Sequence, residues 1–412
     1  MHSETITLEG HIIDSRALSE TLDDIITFGG DFEVLEVHIG RRKHDRSHAR
    51  IEVYAETPEK LAQLIGQVTK RGAFVESPTD CELVDADMNG AFPDDFYCTT
   101  NQPTFVRHAG QWREVSDLEM DCGIWYDPNA DQFRCIPMEK VRRGHRVVCG
   151  TRGIHIEPIE RHLERGTFQY LATEIATEKP KGAILRHCAQ LILDTKAAGK
   201  RVLLVGGASI VHTDSAQFVV QMIEDGTLHG LIASNALAVH DIELALYGTS
   251  LGVYVEKAAL ADTGHEHPLR AINSIRRAGG IKAAVKAGVL DNGIMHACVK
   301  HNVEFCLLGS VRDEAPLPET IADTVVAQDH IREAIRDVGF VLMVASRTLS
   351  ISTAYILPAA TPVVCVDLNP SVLNRIRDRG TFQTIGIVTD AESFFRELLE
   401  EVEKLKAKRA GG

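Results

Sequence analysis

At 412 residues, 44% apolar and 25% charged, the chain has the composition of a globular protein of two or three domains, and no apolar run approaches the roughly 20 residues of a membrane-spanning helix. A formal charge of −14 without a basic tract excludes nucleic acid as the main partner, because phosphate neutralisation needs clustered Lys and Arg. Nine cysteines between Cys81 and Cys365, with no C-x-x-C pair, read as reduced thiols, and with no signal peptide at the N-terminus the expected compartment is the cytoplasm.

The N-terminal segment alternates strand and helix signals. Glu4–Asp14 reads as extended, Ser15–Thr27 as a helix with an apolar stripe, Asp31–Arg41 and Ser47–Ala55 as extended, Thr57–Arg71 as a helix, and a last strand lies near Phe74. Ser15 and Thr57 suit N-caps, and Arg41-Arg42-Lys43 suits a hairpin tip. The order βαββαβ predicts a ferredoxin-like module over residues 1–90, a unit used more often for assembly or regulation than for chemistry. Its exposed sheet edges make a homo-oligomer the expected assembly.

Residues 91–155 change character, with short strands, polar clusters and turns at Pro137, Gly144 and Gly150 that predict a small β-rich domain. Thr99-Thr100-Asn101, shortly before Pro103, is poor helix and poor strand material. It predicts a turn that either displays three hydrogen-bonding side chains to a small polar substrate or satisfies its own backbone.

From residue 156 to 412 the pattern becomes α/β. A helix over Thr177–Ala198 is entered through Glu178-Lys179-Pro180-Lys181; strand Arg201–Val205, helix Thr213–Asp225, strand Gly230–Ser234 and helix Ala238–Tyr247 follow, then strands at Val303, Val341 and Val363. The tail Asp390–Arg409 is an amphipathic helix that turns Phe394, Phe395, Leu398 and Leu399 to the sheet. This alternation predicts a doubly wound parallel sheet. Its strands end in small and polar residues: Gly206-Gly207-Ala208-Ser209, Ser234-Asn235-Ala236, Gly309-Ser310 and Asp367-Leu368-Asn369. Ligands of such sheets bind beyond the carboxyl ends of the strands, and a Gly pair there lets a diphosphate approach the backbone, so a dinucleotide is the expected ligand although the full G-x-G-x-x-G spacing is missing. Gly264-His265-Glu266-His267 sets two His and a Glu side by side, but neighbours on a loop do not converge on an ion; no metal is expected, and the segment reads as a loop at the cofactor cleft.

The strings Phe96–Thr104, Glu119–Cys122, Glu178–Lys181, Ser234–Asp241, Leu308–Pro318 and Gly386–Asp390 resemble the family named for a region shared with lysine-ketoglutarate reductase/saccharopine dehydrogenase bifunctional enzymes, which includes NAD-dependent ornithine cyclodeaminases. The resemblance runs from Thr5 to about Leu405. It implies that the C-terminal domain is a deoxyhypusine-synthase-like NAD-binding variant of the doubly wound sheet, and that L-ornithine is converted to L-proline and ammonia with NAD recycled in each turn. Family members fused behind an arginine-hydrolysing domain exist; with the βαββαβ module at its start this chain leaves no place for one, so arginine is not expected as a substrate.

The implied chemistry needs a carboxylate of tuned pKa in a dry pocket. Asp121 is the first candidate, with a solvated turn aspartate as its alternative; Glu174 and Glu178 follow, with Lys179 or Lys181 as partner for the substrate carboxylate. Thr99, Thr100 and Asn101 would orient the substrate, and Cys122 takes a positioning role because hydride chemistry requires no covalent step. For the cofactor, Gly206, Gly207, Ala208 and Ser209 are assigned to the diphosphate, and Ser234, Asn235 and Ala236 to the nicotinamide or its ribose. Asp367 is assigned to the adenosine ribose, favouring NAD over NADP, with Gly309, Ser310, Asp313, Asn369 and Asp390 on the rim; Asp241 and His240 serve either the rim or a helix start. Two other readings stay open: an amino-acid or opine-type dehydrogenase that releases NADH, and a non-catalytic NAD-binding regulator. Ornithine and lysine differ by one methylene, worth only about 1–3 kcal/mol in an apolar pocket.

Overall fold

The computed structural model describes residues 1–10, 12–13, 17–40, 45, 47–69, 71–75, 79–157, 181–254, 259–260, 264–311, 313, 315–379 and 384–410. The chain divides into two units, Met1–Gln169 with Pro358–Ala360, and Tyr170–Leu357 with Thr361–Gly412.

The first unit opens with β1 (His2–Gly10), α1 (Ala17–Thr27), β2 (Asp31–His38), β3 (Ser47–Ala55), α2 (Pro58–Thr69) and β4 (Phe74–Val75). These strands make an antiparallel sheet of order β2-β3-β1-β4, the ferredoxin-like arrangement that the alternation predicts. The period-2 pattern of β3 sends Ala49, Ile51 and Val53 inward, where Ile25 of α1 and Leu61, Leu64, Ile65 and Val68 of α2 cover them. The expected hairpin tip at Arg41–Lys43 lies outside the described residues.

A second sheet in this unit contains β5 (Glu82–Asp85), β6 (Thr104–His108), β7 (Gln111–Ser116), β8 (Gly123–Asp127), β9 (Gln132–Ile136), β10 (Arg146–Cys149) and β11 (Ile154–Ile156), in the order β11-β6-β7-β9-β8-β10-β5. Its core is Tyr97, Val106, Val115, Ile124, Phe133, Val148 and Ile156 with Cys122 and Cys135. Because β5 pairs with β10, this sheet draws on residues ahead of position 91, where the composition shift placed its start.

The second unit runs α3 (Lys181–Ala197), β12 (Arg201–Gly206), α4 (Ser209–His212), α5 (Ala216–Glu224), β13 (Gly230–Ser234) and α6 (Asn235–Tyr247). A small antiparallel sheet of β14 (Thr249–Ser250), β15 (Val253–Tyr254) and β16 (Ala259–Leu260) interrupts the alternation. Then come α7 (His267–Ala278), α8 (Ile281–Lys286), α9 (Gly293–Lys300), β17 (Glu304–Leu308), β18 (Thr320–Ile321), α10 (Thr324–Ala334), β19 (Val338–Val344), α11 (Arg347–Ile356), β20 (Val363–Val366), α12 (Pro370–Arg379), β21 (Thr384–Ile387) and α13 (Ala391–Ala410). The main sheet has the order β18-β17-β13-β12-β19-β20-β21, and every pairing in it is parallel. Apart from the short edge strand β18, this is the doubly wound order in which the chain starts in the middle, builds outward to one side and returns to build the other. The middle strands are apolar because helices cover both faces, and Val202, Leu203, Leu204 and Val205 are wholly buried. On α13 the expected face is inward, with Phe394, Phe395 and Leu398 fully buried. Among the described residues no helix is long and apolar enough to cross a membrane.

Candidate functional site

In the second unit, β12 lies between β13, which follows it in sequence, and β19, which arrives much later. That is the reversal point where a crevice opens beyond the carboxyl ends of the strands. Two chain turns form its floor. After β12, Gly207 donates its N–H to the Val344 carbonyl at 3.0 Å, and a Cβ at this position would overlap the Ala345 carbonyl oxygen, so only glycine fits. After β19, Ala345 adopts φ +52, a left-handed conformation that a non-glycine residue holds only when its surroundings enforce it.

Helix starts leave N–H groups without intrahelical partners, and two helices, α4 and α11, start at this end of the sheet. Among the described residues, the N–H groups of Ala208 and Ser209 find no protein acceptor. At α11, Ser346 occupies the N-cap but its side chain makes no capping bond. The unpaired N–H groups of Ala208 and Ser209 and the uncapped start of α11, on a backbone surface cleared by Gly207, have the chemistry that fits the diphosphate of a dinucleotide. Gly206 ends β12 and Gly207, Ala208 and Ser209 follow it, at the strand end that the sequence pattern implies; the facing turn Ala345-Ser346 carries no sequence signal, because nothing in its composition marks a strained alanine.

The other expected cofactor residues gather at the same end of the sheet, but many of their side chains are already engaged. Ser234 caps α6 by accepting from the Leu237 N–H at 3.3 Å. Asn235 and Ala236 form the first turn of that helix, and the Asn235 carboxamide holds the 315–320 loop, accepting from Leu317 N and Thr320 Oγ1 at 2.9 and 2.8 Å. Asn235 therefore anchors this loop. Asp241 is buried and accepts from the N–H groups of Ile294 and Met295 at 2.8 Å each, at the start of α9. It belongs to the helix-start alternative and not to the rim. Burial raises its carboxyl to about 6, against the opposing pull of those two N–H groups.

Gly309 bonds the Ile321 carbonyl, and Ser310 donates its N–H to Asp313 at 2.7 Å. Asp367, Asn369 and Asp390 each accept a backbone N–H two or three residues on. Asp367 ends β20, beyond β19, whereas the residue that usually meets the adenosine ribose follows the strand next to β12 on the other side; that position here is Ser234. Lys181 opens α3, where its ammonium pairs with Glu397 at 2.7 Å. Glu174, Glu178 and Lys179 lie outside the described residues.

Beside the crevice strands, a buried network that the sequence did not reveal ties α6 to the loop after it. Glu243 accepts from Thr249 Oγ1 at 2.9 Å, from the N–H groups of Leu251 and Gly252 at 3.1 and 2.8 Å, and shares a 2.8 Å bond with His240 Nδ1. Burial pushes this carboxyl up, but the bonds from His240, Gly252 and Thr249 outweigh it and hold the carboxyl below the usual glutamate range. The His240 ring meets His212 edge to face at 4.7 Å, and His267, from the Gly264–His267 segment, bonds Thr249 at 2.8 Å.

In the first unit the polar residues expected at the substrate do come together, around Thr99. Its hydroxyl donates to the Glu119 carbonyl at 2.7 Å and accepts from the Cys122 N–H at 3.1 Å, closing the turn that carries Asp121. Thr99 is thus a pin for the fold and not a displayed ligand. Thr100 is half-buried and Asn101 is buried. Asp121 is exposed, with φ +59, so the dry environment expected of it is absent: a short acidic side chain suits this left-handed turn corner, and the corner faces water. The buried carboxylate of the cluster is Glu119, 6% exposed, beside the buried thiols of Cys122 and Cys135. A hydrogen bond from Cys122 is the main influence drawing the Cys135 thiol below its ordinary range.

Comparison with known proteins matches three family models end to end along the chain: the LOR/SDH bifunctional enzyme conserved region over residues 3–102, and two regions described as arginine dihydrolase ArgZ-like, C-terminal, the first over 103–185 and the second, a Rossmann fold, over 186–398. A protein of Methanothermobacter thermautotrophicus named ornithine cyclodeaminase is 45% identical over 98% of this chain and 99% of its own length. The solved structure of apo ArgZ, an arginine dihydrolase from the ornithine-ammonia cycle in cyanobacteria, superposes with a TM-score of 0.86 at 32% identity, covering 98% of this chain and 59% of that one. A ternary complex of AgrE with ornithine and NAD+ superposes with a TM-score of 0.54 at 32% identity, covering 99% of this chain and 58% of that one.

Proposed function

The chain belongs to the ornithine cyclodeaminase family that carries the LOR/SDH conserved region, and from that premise we propose that it converts L-ornithine to L-proline and ammonia with NAD as a recycled cofactor. Bound NAD+ supplies a reversible hydride acceptor: the hydride leaves the ornithine α-carbon and returns to the cyclic imine formed when the δ-amine displaces ammonia, so no net oxidation occurs. The observation that carries the reading is the seat at the reversal point, where Gly207 has no room for a side chain and two helix starts offer N–H groups. Ala208, Ser209 and the first turn of α11 hold the diphosphate, and the Ser346 hydroxyl is free of any capping duty there. Ser234 stands nearest the ribose in this scheme.

Thr100 and Asn101 orient the substrate by hydrogen bonds. Asp121, exposed at its turn, draws in an amino acid that carries two ammonium groups and a net positive charge; Glu174 and Glu178 remain the alternative carboxylates. The proposal extends to a homo-oligomer in the cytoplasm. Edge strand β2 is exposed at every residue but Phe32, and the nine cysteines are free thiols.

The test is to incubate the purified chain with NAD+ and L-ornithine, with L-lysine in a parallel arm, and follow proline, ammonia and NADH absorbance together. Equal amounts of proline and ammonia without NADH build-up are expected. Stoichiometric NADH would make the protein a dehydrogenase, and NAD binding without turnover would leave a regulator.

A further inference from the structure

Three buried side chains, of which only Cys122 has an expected part in the cyclodeaminase scheme and that a positioning one, converge inside the second sheet of the first unit. Glu119 lies in the loop between β7 and β8, Cys122 immediately ahead of β8, and Cys135 on β9 opposite Ile124. A carboxylate oxygen and two thiol sulfurs, one from each residue, all lie within 4.8 Å of one another, and the residues are 6%, 5% and 8% exposed. We propose that this cluster binds one thiophilic divalent cation of the zinc class through two thiolates and one carboxylate.

The donor set selects the ion. Two sulfurs and one oxygen disfavour magnesium and calcium, which take oxygen ligands, and match the tetrahedral preference of zinc and its surrogate cobalt. Three protein ligands leave a fourth position, which a water or the Thr99 hydroxyl, 3.7 Å from Cys135 Sγ, is placed to fill. Donors around tetrahedral zinc stand roughly 3.5–3.8 Å apart, so closure asks for about 1 Å of side-chain movement.

The backbone already holds the donors. The β8–β9 hairpin pairs Gly123 with Ile136 and Ile124 with Cys135, which puts both thiols on the core-facing side. Glu119 and Cys122 flank the tight turn at Asp121, and the Thr99 hydroxyl clamps both ends of that turn. A cation here compensates a buried carboxylate and two thiolates at once, and it ties the loop, the hairpin and the Thr99 segment together.

The experiment uses the reduced, metal-stripped full chain, titrated with Co2+ alone and then with Zn2+. The expected result is a sulfur-to-cobalt charge-transfer band that saturates at one equivalent and is abolished by one equivalent of Zn2+. C135S weakens binding by about 100-fold or more, while E119Q keeps the band and binds more weakly. Should C135S fail to fold, alkylation of the native protein mapped by mass spectrometry decides: Zn2+ must protect Cys122 and Cys135 ahead of the other seven thiols. Absence of the band in reduced protein, protection of a different pair, or isolation of the native chain with Cys122 and Cys135 joined as a disulfide each overturns the site. None of these readouts uses turnover, so the cation site stands or fails apart from the cyclodeaminase reading.

Discussion

A methyl group at Gly207 has nowhere to go, because the carbonyl of Ala345, the residue directly after the β12–β19 ladder, occupies its place. Gly207→Ala must therefore separate the two turns that face the cofactor. The expected outcome is a loss of about 1–3 kcal/mol in chemical denaturation, with NAD+ affinity in calorimetry reduced far beyond what that loss of stability explains. Asp241 gives a pH-dependent prediction. Its folded pKa of about 6 lies above the unfolded value, so its contribution is fully present below about pH 4 and is lost as pH rises through about 6. The stability difference between wild type and Asp241→Asn should fall across that window by as much as about 3 kcal/mol; a flat difference would show that the carboxyl titrates as an ordinary aspartate. These two residues mark what is legible at this scale. Gly207 stands out in the sequence because a Gly pair ends a strand, whereas the duty of Asp241, like those of Thr99 and Asn235, depends on backbone groups far along the chain that no local pattern names.

Among the elements, α11 carries the sharper test. Its N-cap Ser346 makes no capping bond, although serine suits one well, and in the proposed scheme this helix start meets the diphosphate. In Ser346→Asp the carboxylate caps the helix and meets its dipole, so thermal stability of the free protein rises by about 0.5–1 kcal/mol. The same charge repels the diphosphate, so NAD+ affinity falls at least tenfold; stability and binding moving in the same direction would remove the diphosphate from this helix start. Where the pattern sets bounds, the elements fall within a few residues of them: β3 matches at both ends, and α13 is displaced by one residue at each end from the expected tail helix, while the pattern sets no bounds for the strands of the second sheet or for helices α7–α12. The misses occur where side chains override the period. The helix expected from Ala238 begins at Asn235 because Ser234 caps it, and the helix expected from Thr213 starts only at Ala216, after a left-handed Asp214 at φ +58 that separates it from the short α4.

At the scale of the whole molecule, alternation of strands and helices announced a parallel sheet, but not that β19 would slot in beside β12. Neighbours in such a sheet are chosen by the handedness of crossovers and by which apolar faces remain uncovered, and both are decided only when the chain has been laid down. The β12–β19 ladder has a consequence in time. The two halves of the proposed diphosphate seat come from segments well over a hundred residues apart, so the seat exists only once this long-range pairing has closed, which loop-closure entropy predicts to be late. NAD+ then finds nothing to grip in the folding transition state. Stopped-flow kinetics should show refolding at the same rate with and without saturating NAD+, with the whole gain in stability appearing as slower unfolding. Faster refolding in the presence of NAD+ would mean that the seat is assembled early. If the seat does close late, the cofactor rewards completed molecules only, and a chain that stalls before β19 docks remains open to proteolysis however much NAD+ surrounds it.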